Sequence, residues 1–281
     1  MAKYRQKKIG CFPKWQKNKF VYKIFIEKIY DFGYHNTIKA SKGDDMSKFE
    51  INTYVDIHDV DYNGIAKTSA LMRYIQSAAQ TQLTQNGMSY EDLQRMNRGF
   101  ILSRIRMEIT KPIRAYTPLT AVTYPCESRG YSFLRCYELL QDGESVAKAI
   151  SVWALIDTEN RSLVRVNDFN LNLPTLSPNE LVLGHIKIPS DLLDVGGYGV
   201  HYGDVDQNRH MNNTKYPDMY SNYLPLDGKM IKSITIHYNN EACIGEKMRV
   251  CRAQVGDTYL FRTIRSDGKI NSEAQIELAD I

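Results

Sequence analysis

The sequence lacks the motifs that identify several large classes of protein. None of its five cysteines lies in a Cys-x-x-Cys pair, which argues against a structural zinc site. Its apolar runs stay shorter than the roughly eighteen residues of a membrane span. A glycine-rich phosphate loop, a serine nucleophile elbow and a signal peptide with a small-residue cleavage site are also missing. We therefore expect a protein that uses no metal and no cofactor, with free thiols in a reducing cytoplasm.

Acidic charge is scarce at the beginning of the chain. Residues 1–48 hold twelve Lys or Arg and four Asp or Glu, a net +8 in a chain that totals +4. The remainder is mildly acidic, which argues against a body that binds nucleic acid. For residues 1–47 we predict a poorly ordered basic leader, with Met46 as an alternative start. A membrane-interface helix and a targeting peptide are the competing interpretations of this leader.

Beyond the leader, hydrophobic patterning predicts strands and one long helix. Residues 49–57 alternate as a strand does, and a turn containing Asn63-Gly64 follows. Residues 68–87 carry apolar side chains at every fourth position and end on Gly87, which predicts a helix. Further strands are predicted at residues 100–113, 120–128, 132–140 and 145–158. Asp142-Gly143 is a hairpin signal between the last two of these.

A segment rich in proline and asparagine then interrupts this pattern. We place a connector at residues 166–194 and predict one short helix within it, near residues 190–194. After the connector the pattern restarts with a strand, a turn and a shorter helical stretch broken by Pro217. Four more strands follow.

The restart is an internal repeat. Asp-Val-Asp-Tyr-Asn at residues 59–63 recurs as Asp-Val-Asp-Gln-Asn at residues 204–208, and both copies follow a strand and precede a helix. We predict an α+β fold of two tandem units, residues 48–165 and 195–281, packed as a pseudo-dimer.

The two copies differ at positions suited to chemistry. His210 stands where the first copy has Ile65, and Glu241 stands where it has Pro112. A histidine in a turn before a helix can act as a general base, and a carboxylate can activate water or orient the histidine. Structural roles compete with these, because His210 could cap the turn and Glu241 could be an exposed strand end. Cys243 shares a strand face with Glu241, and we favour a small buried hydrophobe there.

These residues resemble a known family. The run DVDQNRHMNN at residues 204–213, with NNEAC at residues 239–243, is similar to the acyl-acyl carrier protein (acyl-ACP) thioesterases of bacteria and plants. Their motif is Asp-x-Asn-x-His-x-Asn-Asn followed by a Glu-Cys strand. The Ser-x-Trp at residues 151–153 also resembles that family. The resemblance covers residues 49–281 and implies a tandem double hotdog fold, two units of a long helix wrapped by an antiparallel sheet.

The resemblance implies hydrolysis of the thioester between a fatty acyl chain and the phosphopantetheine arm of acyl carrier protein. This reaction releases free fatty acid and holo-ACP and ends chain elongation in fatty acid biosynthesis. The family's catalytic residues fall on Asp206, Asn208, His210 and Glu241. The family's Cys directly follows the Glu, but here Ala242 takes that place and Cys243 comes one residue later. This shift speaks against Cys243 as a nucleophile and favours attack by water.

Each of the four residues then has an expected role. Glu241, helped by His210, would activate the water. Asn208 would orient the water or the carbonyl with its side-chain amide, and Asp206 would fix Asn208 or His210 from behind.

The substrate sets two further expectations. An acyl chain needs an apolar tunnel, for which the first helix offers Leu71, Met72, Ile75, Ala78 and Ala79. Acyl carrier proteins are acidic, and a candidate docking surface is formed by Arg104, Arg106, Lys111 and Arg114. A solvated strand face explains these cations equally well.

Other functions compete with this interpretation. An acyl-CoA thioesterase or a hydroxyacyl dehydratase would use the same fold, and a non-catalytic acyl-binding protein would keep the tunnel without needing Glu241. Both a monomer acting as a pseudo-dimer and a homodimer fit the repeat.

Overall fold

The computed structural model describes residues 48–281, so the predictions for residues 1–47 lie outside the described residues. The described part contains one long helix, two short ones and a series of strands. The strands are β1 (Phe49–Tyr54), β2 (Arg98–Ile109), β3 (Pro118–Pro125), β4 (Phe133–Gln141), β5 (Glu144–Asp157), β6 (Ser162–Val164), β7 (Leu193–Gly199), β8 (Lys229–Tyr238), β9 (Lys247–Val255), β10 (Thr258–Ile264) and β11 (Ile270–Asp280). The helices are α1 (Thr68–Gln85), α2 (Tyr90–Arg95) and α3 (Tyr216–Ser221).

The strands form one antiparallel sheet in which equivalent strands of the two units follow the same order, counted inward from either edge. The order is β1-β3-β4-β5-β2-β8-β11-β10-β9-β7, with β6 paired to β5. Each half is thus a five-stranded sheet built in the same order, as the internal repeat predicts. The halves join where β2 pairs with β8, with Ile105 opposite Ile236 and Met107 opposite Ile234. These four side chains are at most 1% exposed, so the junction belongs to the core.

Alternation along the strands decides which side chains face the helix. On β2, Ile105, Met107 and Ile109 are buried, while Arg104 and Arg106, at alternate positions, are half-buried on the other face. The predicted hairpin at Asp142-Gly143 is confirmed: both residues have positive φ, 53° and 82°, as a two-residue turn of the primed type requires.

The helix α1 packs on one face of the first half of the sheet. Its buried residues include Leu71, Met72, Ile75 and Ala78, and it packs against β3, β1 and β4. Gly87, with φ of +73°, ends it in the left-handed conformation predicted for that position.

The second unit departs from the expectation of two long helices. Its helical segment is a 3-10 turn at Asn213–Lys215 followed by the six residues of α3. Pro217 was predicted to break the helix, which is wrong: it lies in the first turn, where a missing N–H leaves no bond unmade. The helix α3 ends at Ser221, and Pro225 restricts any extension of it, because the residue before a proline avoids helical geometry.

The helix predicted near residues 190–194 is also wrong. Leu193 already begins β7, where it pairs with Arg252 of β9. The local apolar pattern is satisfied by sheet pairing instead of by a helix. The connecting segment crosses the outer face of the first unit, where Leu176 and Leu181 pack against Tyr124 and Cys136.

Within residues 48–281, no helix is both long enough and apolar enough to cross a bilayer.

The β2–β8 junction predicts where the fold is sensitive to loss of volume. Changing Ile236→Ala removes packing from a fully buried site, so the free energy of unfolding should fall by about 2–5 kcal/mol. The matched control is Ile244→Ala, because Ile244 is 48% exposed and should change stability by less than about 0.5 kcal/mol. Urea unfolding followed by far-ultraviolet circular dichroism measures both. Equal losses in the two variants would contradict a core that runs through the junction.

Candidate active site

The repeated Asp-Val-Asp motif forms a turn in each unit, and the backbone hydrogen bonds of the two turns correspond. In the second unit the N–H of Asp206 donates to the carbonyl of His210, and the N–H of Met211 donates to the carbonyl of Ala242. In the first unit the corresponding donors are Asp61 and Ala66, which bond to the carbonyls of Ile65 and Ile113. The backbone therefore presents residue 65 and residue 210 in equivalent positions.

The second turn carries a histidine–glutamate pair where the first has Ile65 and Pro112. Nδ1 of His210 lies 3.1 Å from Oε2 of Glu241, a distance at which the ring N–H donates to the carboxylate. A backbone bridge between residues 210 and 243 fixes the two chain segments beside each other. Arg265 Nη1 donates to the backbone carbonyl of Glu241 at 2.8 Å and anchors this strand end. The structure thus brings together the histidine and the glutamate that the sequence comparison of the two copies singled out.

The two members of this pair differ in exposure, which separates what each can contact. The Glu241 side chain is 55% exposed, whereas the His210 side chain is 18% exposed. Within residues 48–281, Nε2 of His210 is covered and has no hydrogen-bond partner. Glu241 is therefore the member that can reach a water molecule, and His210 supports it from behind through Nδ1.

Asn208 is oriented by a residue of the first unit. The Tyr90 hydroxyl, on α2, donates to Oδ1 of Asn208 at 3.0 Å, and Gln94 Nε2 donates to that hydroxyl at 2.8 Å. Burial and the charge of Asp206 raise the pKa of Tyr90, so the hydroxyl keeps its proton. Because the Asn208 oxygen is already occupied, its N–H₂ group is left to face a ligand.

Asp206 holds the turn itself. Its Oδ1 accepts the backbone N–H of Asn208 at 2.8 Å, and its backbone carbonyl accepts the N–H of Arg209. Arg209 has a φ of 65°, the tight geometry that such a turn requires. The carboxylate therefore fixes the backbone that carries Asn208 and His210.

A second contact between units lies next to the turn. Gln76 Nε2, on α1, donates to Oδ1 of Asn213 at 2.7 Å. Asn212 caps the 3-10 turn, since its Oδ1 accepts the N–H of Thr214 at 2.9 Å and the Thr214 hydroxyl at 2.7 Å. A hydrogen bond thereby connects the long helix of the first unit to the segment that follows the turn at residues 206–211 of the second unit.

Cys243 lies next to the histidine–glutamate pair. One ligand atom from each of His210, Glu241 and Cys243 lies within 4.8 Å of the others. Imidazole, carboxylate and thiolate form a donor set that could hold a transition-metal ion. The expectation of no metal stays a prediction.

A cavity of about 1440 Å³ opens beside this pair and extends into the first unit. From the second unit it is lined by Gln207, Asn208, His210, Asn212, Thr214 and Glu241. Asp206 and Cys243 are not part of its wall. From the first unit the wall includes Phe100, Phe133, Arg135, Tyr137, Trp153, Phe169 and Leu171.

The wall contributed by α1 differs from the predicted one. Of the five residues expected there, only Ala79 lines this cavity. The other four, Leu71, Met72, Ile75 and Ala78, are at most 1% exposed because they pack between the helix and the sheet. The cavity instead faces the flank that carries Arg73, Gln76, Ser77, Gln80 and Leu83.

Buried tyrosines occupy part of the interior of the second unit. Tyr216 and Tyr220 project from α3 into the core, and the Tyr220 hydroxyl forms a hydrogen bond with the Ser272 hydroxyl at 2.7 Å. Asn271 donates to the Tyr216 hydroxyl at 3.0 Å. Burial raises the pKa of Tyr216 to about 12, so the ring stays neutral in the core.

The equivalent turn of the first unit has a different use. Beside Ile65 lies a cavity of about 380 Å³, also lined by Pro112, where neither residue can transfer a proton. Asn63, the counterpart of Asn208, donates from Nδ2 to the carbonyls of Leu226 and Lys229 at 2.6 and 3.2 Å. This asparagine fastens the loop before β8 instead of facing a ligand.

The predicted basic surface is partly neutralised by local ion pairs. Arg106 contacts Glu108 on the same strand, and Lys111 Nζ lies 3.2 Å from Glu144. Arg114 is exposed.

Sequence reasoning missed three features of this site. Tyr90 and Gln76 lie in the other copy of the repeat, and no local pattern connects them with residues 208 and 213. Arg135 had a detectable signal, since it stands between Phe133 and Tyr137 in a strand where alternate residues face inward. The segment around Phe169 gave no signal, because loops carry no periodicity.

Comparison with known proteins gives a consistent result for both units. Residues 46–171 match the family model described as acyl-ACP thioesterase N-terminal domain. Residues 192–279 match the model described as acyl-ACP thioesterase C-terminal domain. The chain is 26% identical over 220 residues to oleoyl-acyl carrier protein thioesterase 2 of Arabidopsis thaliana, a chloroplastic protein. That match covers 69% of this chain and 58% of the plant protein, so the chain spans less than two thirds of that relative.

Two solved structures share the fold at low sequence identity. An acyl-ACP thioesterase from Bacteroides thetaiotaomicron is 18% identical and superposes with a TM-score of 0.73, covering 83% of this chain and 98% of that one. A 12:0-ACP thioesterase from Umbellularia californica is 16% identical with a TM-score of 0.71, covering 85% and 100%. The expected tandem double hotdog fold is thus confirmed, with the second helix shorter than expected.

The cap on the 3-10 turn predicts a local stability effect. Changing Asn212→Ala removes the acceptor for Thr214 and should lower the free energy of unfolding by about 0.5–2 kcal/mol. Asn222→Ala, beyond the other end of α3, is the control and should cost less than about 0.5 kcal/mol. Urea titration compares the two variants. An unchanged midpoint in Asn212→Ala would show that the turn does not depend on its cap.

Proposed function

The chain belongs to the acyl-ACP thioesterase family, and from this membership we propose that it hydrolyses fatty acyl-ACP to free fatty acid and holo-ACP. One observation carries the proposal. Of two turns with the same backbone hydrogen bonds, one holds a histidine–glutamate pair, and that turn opens onto the large cavity. A protein that only bound acyl chains would need the cavity but not the pair.

In the proposed reaction a water molecule attacks the thioester carbonyl. Glu241 takes a proton from the water as the oxygen–carbon bond forms, and the carbon–sulfur bond then breaks. The thiolate of the phosphopantetheine arm leaves and receives the proton that Glu241 took from the water, so the products are a carboxylic acid and a thiol and Glu241 is again a carboxylate. Nδ1 of His210, 3.1 Å from Oε2 of Glu241, fixes the direction of the basic carboxylate. Cys243 has no role in these steps.

The negative charge that develops on the carbonyl oxygen needs a hydrogen-bond donor beside that oxygen. The N–H₂ group of Asn208 fits this role, because Tyr90 occupies the oxygen of the same amide. Asp206 fixes the backbone of Asn208, because its Oδ1 accepts a hydrogen bond from the Asn208 N–H. The amide is therefore positioned before the substrate arrives.

The acyl chain would enter the cavity of the first unit. Aromatic and aliphatic side chains form much of its wall, among them Phe100, Phe133, Phe169 and Leu171. Burying an apolar chain against them supplies binding energy in proportion to the area removed from water.

The finer parts of the function are also proposals. We place the reaction at the end of chain elongation in fatty acid biosynthesis, with acyl carrier protein as the partner that delivers the substrate. We place the protein in the cytoplasm, a compartment in which the thiols of Cys126, Cys136 and Cys251 stay reduced. One chain contains both units and one complete pair, which supports a monomer working as a pseudo-dimer.

Release of free thiol from a panel of acyl-ACP and acyl-CoA thioesters tests the proposal. The wild-type protein should cleave the carrier-linked substrates, and Glu241→Gln and His210→Ala should lower kcat by about 10²–10⁴-fold. Cys243→Ser should keep kcat within a few-fold. Two control variants are Glu144→Gln and His58→Ala, whose side chains are 78% and 92% exposed.

Other outcomes identify the competing functions. Cleavage of acyl-CoA alone would make the protein an acyl-CoA thioesterase. Formation of an unsaturated acyl product would indicate a dehydratase. Binding of acyl chains without thiol release would leave an acyl-binding protein, and loss of activity in a folded Cys243→Ser would restore the cysteine nucleophile.

A further inference from the structure

A charged residue interrupts the apolar wall of the cavity. Arg135 lies on β4 between Phe133 and Tyr137, on the strand face that points toward α1. It is 7% exposed to solvent and lines the cavity. Buried arginines are rare unless they are paired with an acid, so its surroundings decide what it does.

The partners of Arg135 are neutral. Its Nη1 donates to Oε1 of Gln82 at 2.7 Å and to the hydroxyl of Thr123 at 3.0 Å. Across residues 48–281, no carboxylate oxygen is recorded within 4 Å of its guanidinium. Burial lowers the pKa of Arg135, although a guanidinium stays protonated in proteins. Among the described residues, the Arg135 guanidinium in the cavity wall therefore contacts no carboxylate.

Polar groups extend this site across the neighbouring strands. Arg135 pairs with Ser151 of β5, and the Trp153 indole N–H donates to the Ser151 hydroxyl at 2.8 Å. The Ser151 hydroxyl lies 3.2 Å from the hydroxyl of Tyr137. We name Gln82, Thr123, Arg135, Tyr137, Ser151 and Trp153 the polar strip. A tunnel built only for a saturated chain would have no need of such a strip.

Three residues of the polar strip, Arg135, Tyr137 and Trp153, line the cavity. The other three, Gln82, Thr123 and Ser151, are buried and hydrogen-bonded to them. Gln76 touches the turn beside His210, and Gln82 touches Arg135. These two glutamines are six residues apart on α1, which is about 9 Å along a helix axis. A chain bound at the thioester end therefore meets the guanidinium partway along its length.

Methylene groups and oxygen atoms affect this guanidinium in opposite ways. A methylene group that displaces water from Arg135 leaves N–H donors without acceptors, which is costly in a buried site. An oxygen at the same depth accepts those N–H groups, and a carboxylate also supplies the missing charge.

We propose that Arg135 makes the cavity selective for acyl chains that carry an oxygen acceptor, such as a carboxylate, hydroxyl or oxo group, at the depth of the polar strip. The inference rests on the proposed thioesterase function and adds the substrate class. It assigns Arg135 to substrate recognition and leaves the chemical step to the pair at residues 210 and 241.

Matched substrates test this selectivity. The probes are ω-carboxyacyl-ACPs of increasing length, hydroxyacyl- and oxoacyl-ACPs, and the unsubstituted acyl-ACPs of the same lengths. For the wild-type protein, kcat/KM should favour the oxygenated chain by about 10-fold or more at the length that reaches Arg135. Arg135→Met should abolish or reverse this preference, while Arg135→Lys should keep part of it.

Controls separate recognition from folding. Arg135→Met keeps a long unbranched side chain in the wall, and a single cooperative melting transition shows that the variant is folded. Arg249→Met, whose side chain is 57% exposed on β9, should leave the preference unchanged. Calorimetric binding of the free acids gives a second readout, which works even if no thioester is cleaved.

The outcomes distinguish the selectivity inferred for Arg135 from the proposed thioesterase function. If unsubstituted chains are cleaved as well as oxygenated ones, and Arg135→Met does not alter the ratio, the thioesterase function stands and the selectivity is refuted. If no thioester is cleaved but oxygenated acids bind in an Arg135-dependent way, the proposed function fails and the polar strip remains a binding site. Equal binding of both kinds of acid refutes the selectivity in that case as well.

Discussion

The pairing of β2 with β8 is the constraint from which the rest of the structure follows. It joins two five-stranded halves into one sheet and holds each helix beside the turn of the other unit. Tyr90 reaches Asn208 and Gln76 reaches Asn213 across this arrangement. The candidate site is thus shared between the units: one supplies the histidine and the glutamate, and the other supplies the cavity and the residue that orients Asn208.

Duplication and specialisation are both visible in the two turns. Their backbone hydrogen bonds correspond, so the fold provides the same position twice. In one turn Ile65 packs in the core and Asn63 fastens a loop, whereas in the other His210 meets Glu241. The interiors also differ, since buried tyrosines pack inside the second unit and the large cavity extends into the first. The proposed function assigns the histidine–glutamate pair to one copy and most of the acyl-binding wall to the other.

The sequence predicts those parts of the fold that depend on local patterns. Alternation locates the strands, the Asp142-Gly143 pair locates a hairpin, and the repeat predicts two similar units. The sequence comparison also singles out His210 and Glu241, because they replace Ile65 and a proline. Prediction fails where tertiary contacts decide. Leu193 joins a strand instead of a helix since a partner strand is available, and the apolar face of α1 packs against the sheet while its flank faces the cavity.

Measuring the mass of the intact enzyme during turnover tests most directly whether water attacks the thioester without a covalent acyl-enzyme intermediate. The protein is mixed with excess acyl-ACP, quenched with acid while thiol release is in progress, and analysed as an intact chain by mass spectrometry. Activation of water by Glu241 predicts a chain of unmodified mass at every time point, because no bond forms between the enzyme and the acyl group. An acyl adduct that maps to Cys243 and decays as product appears would contradict this mechanism.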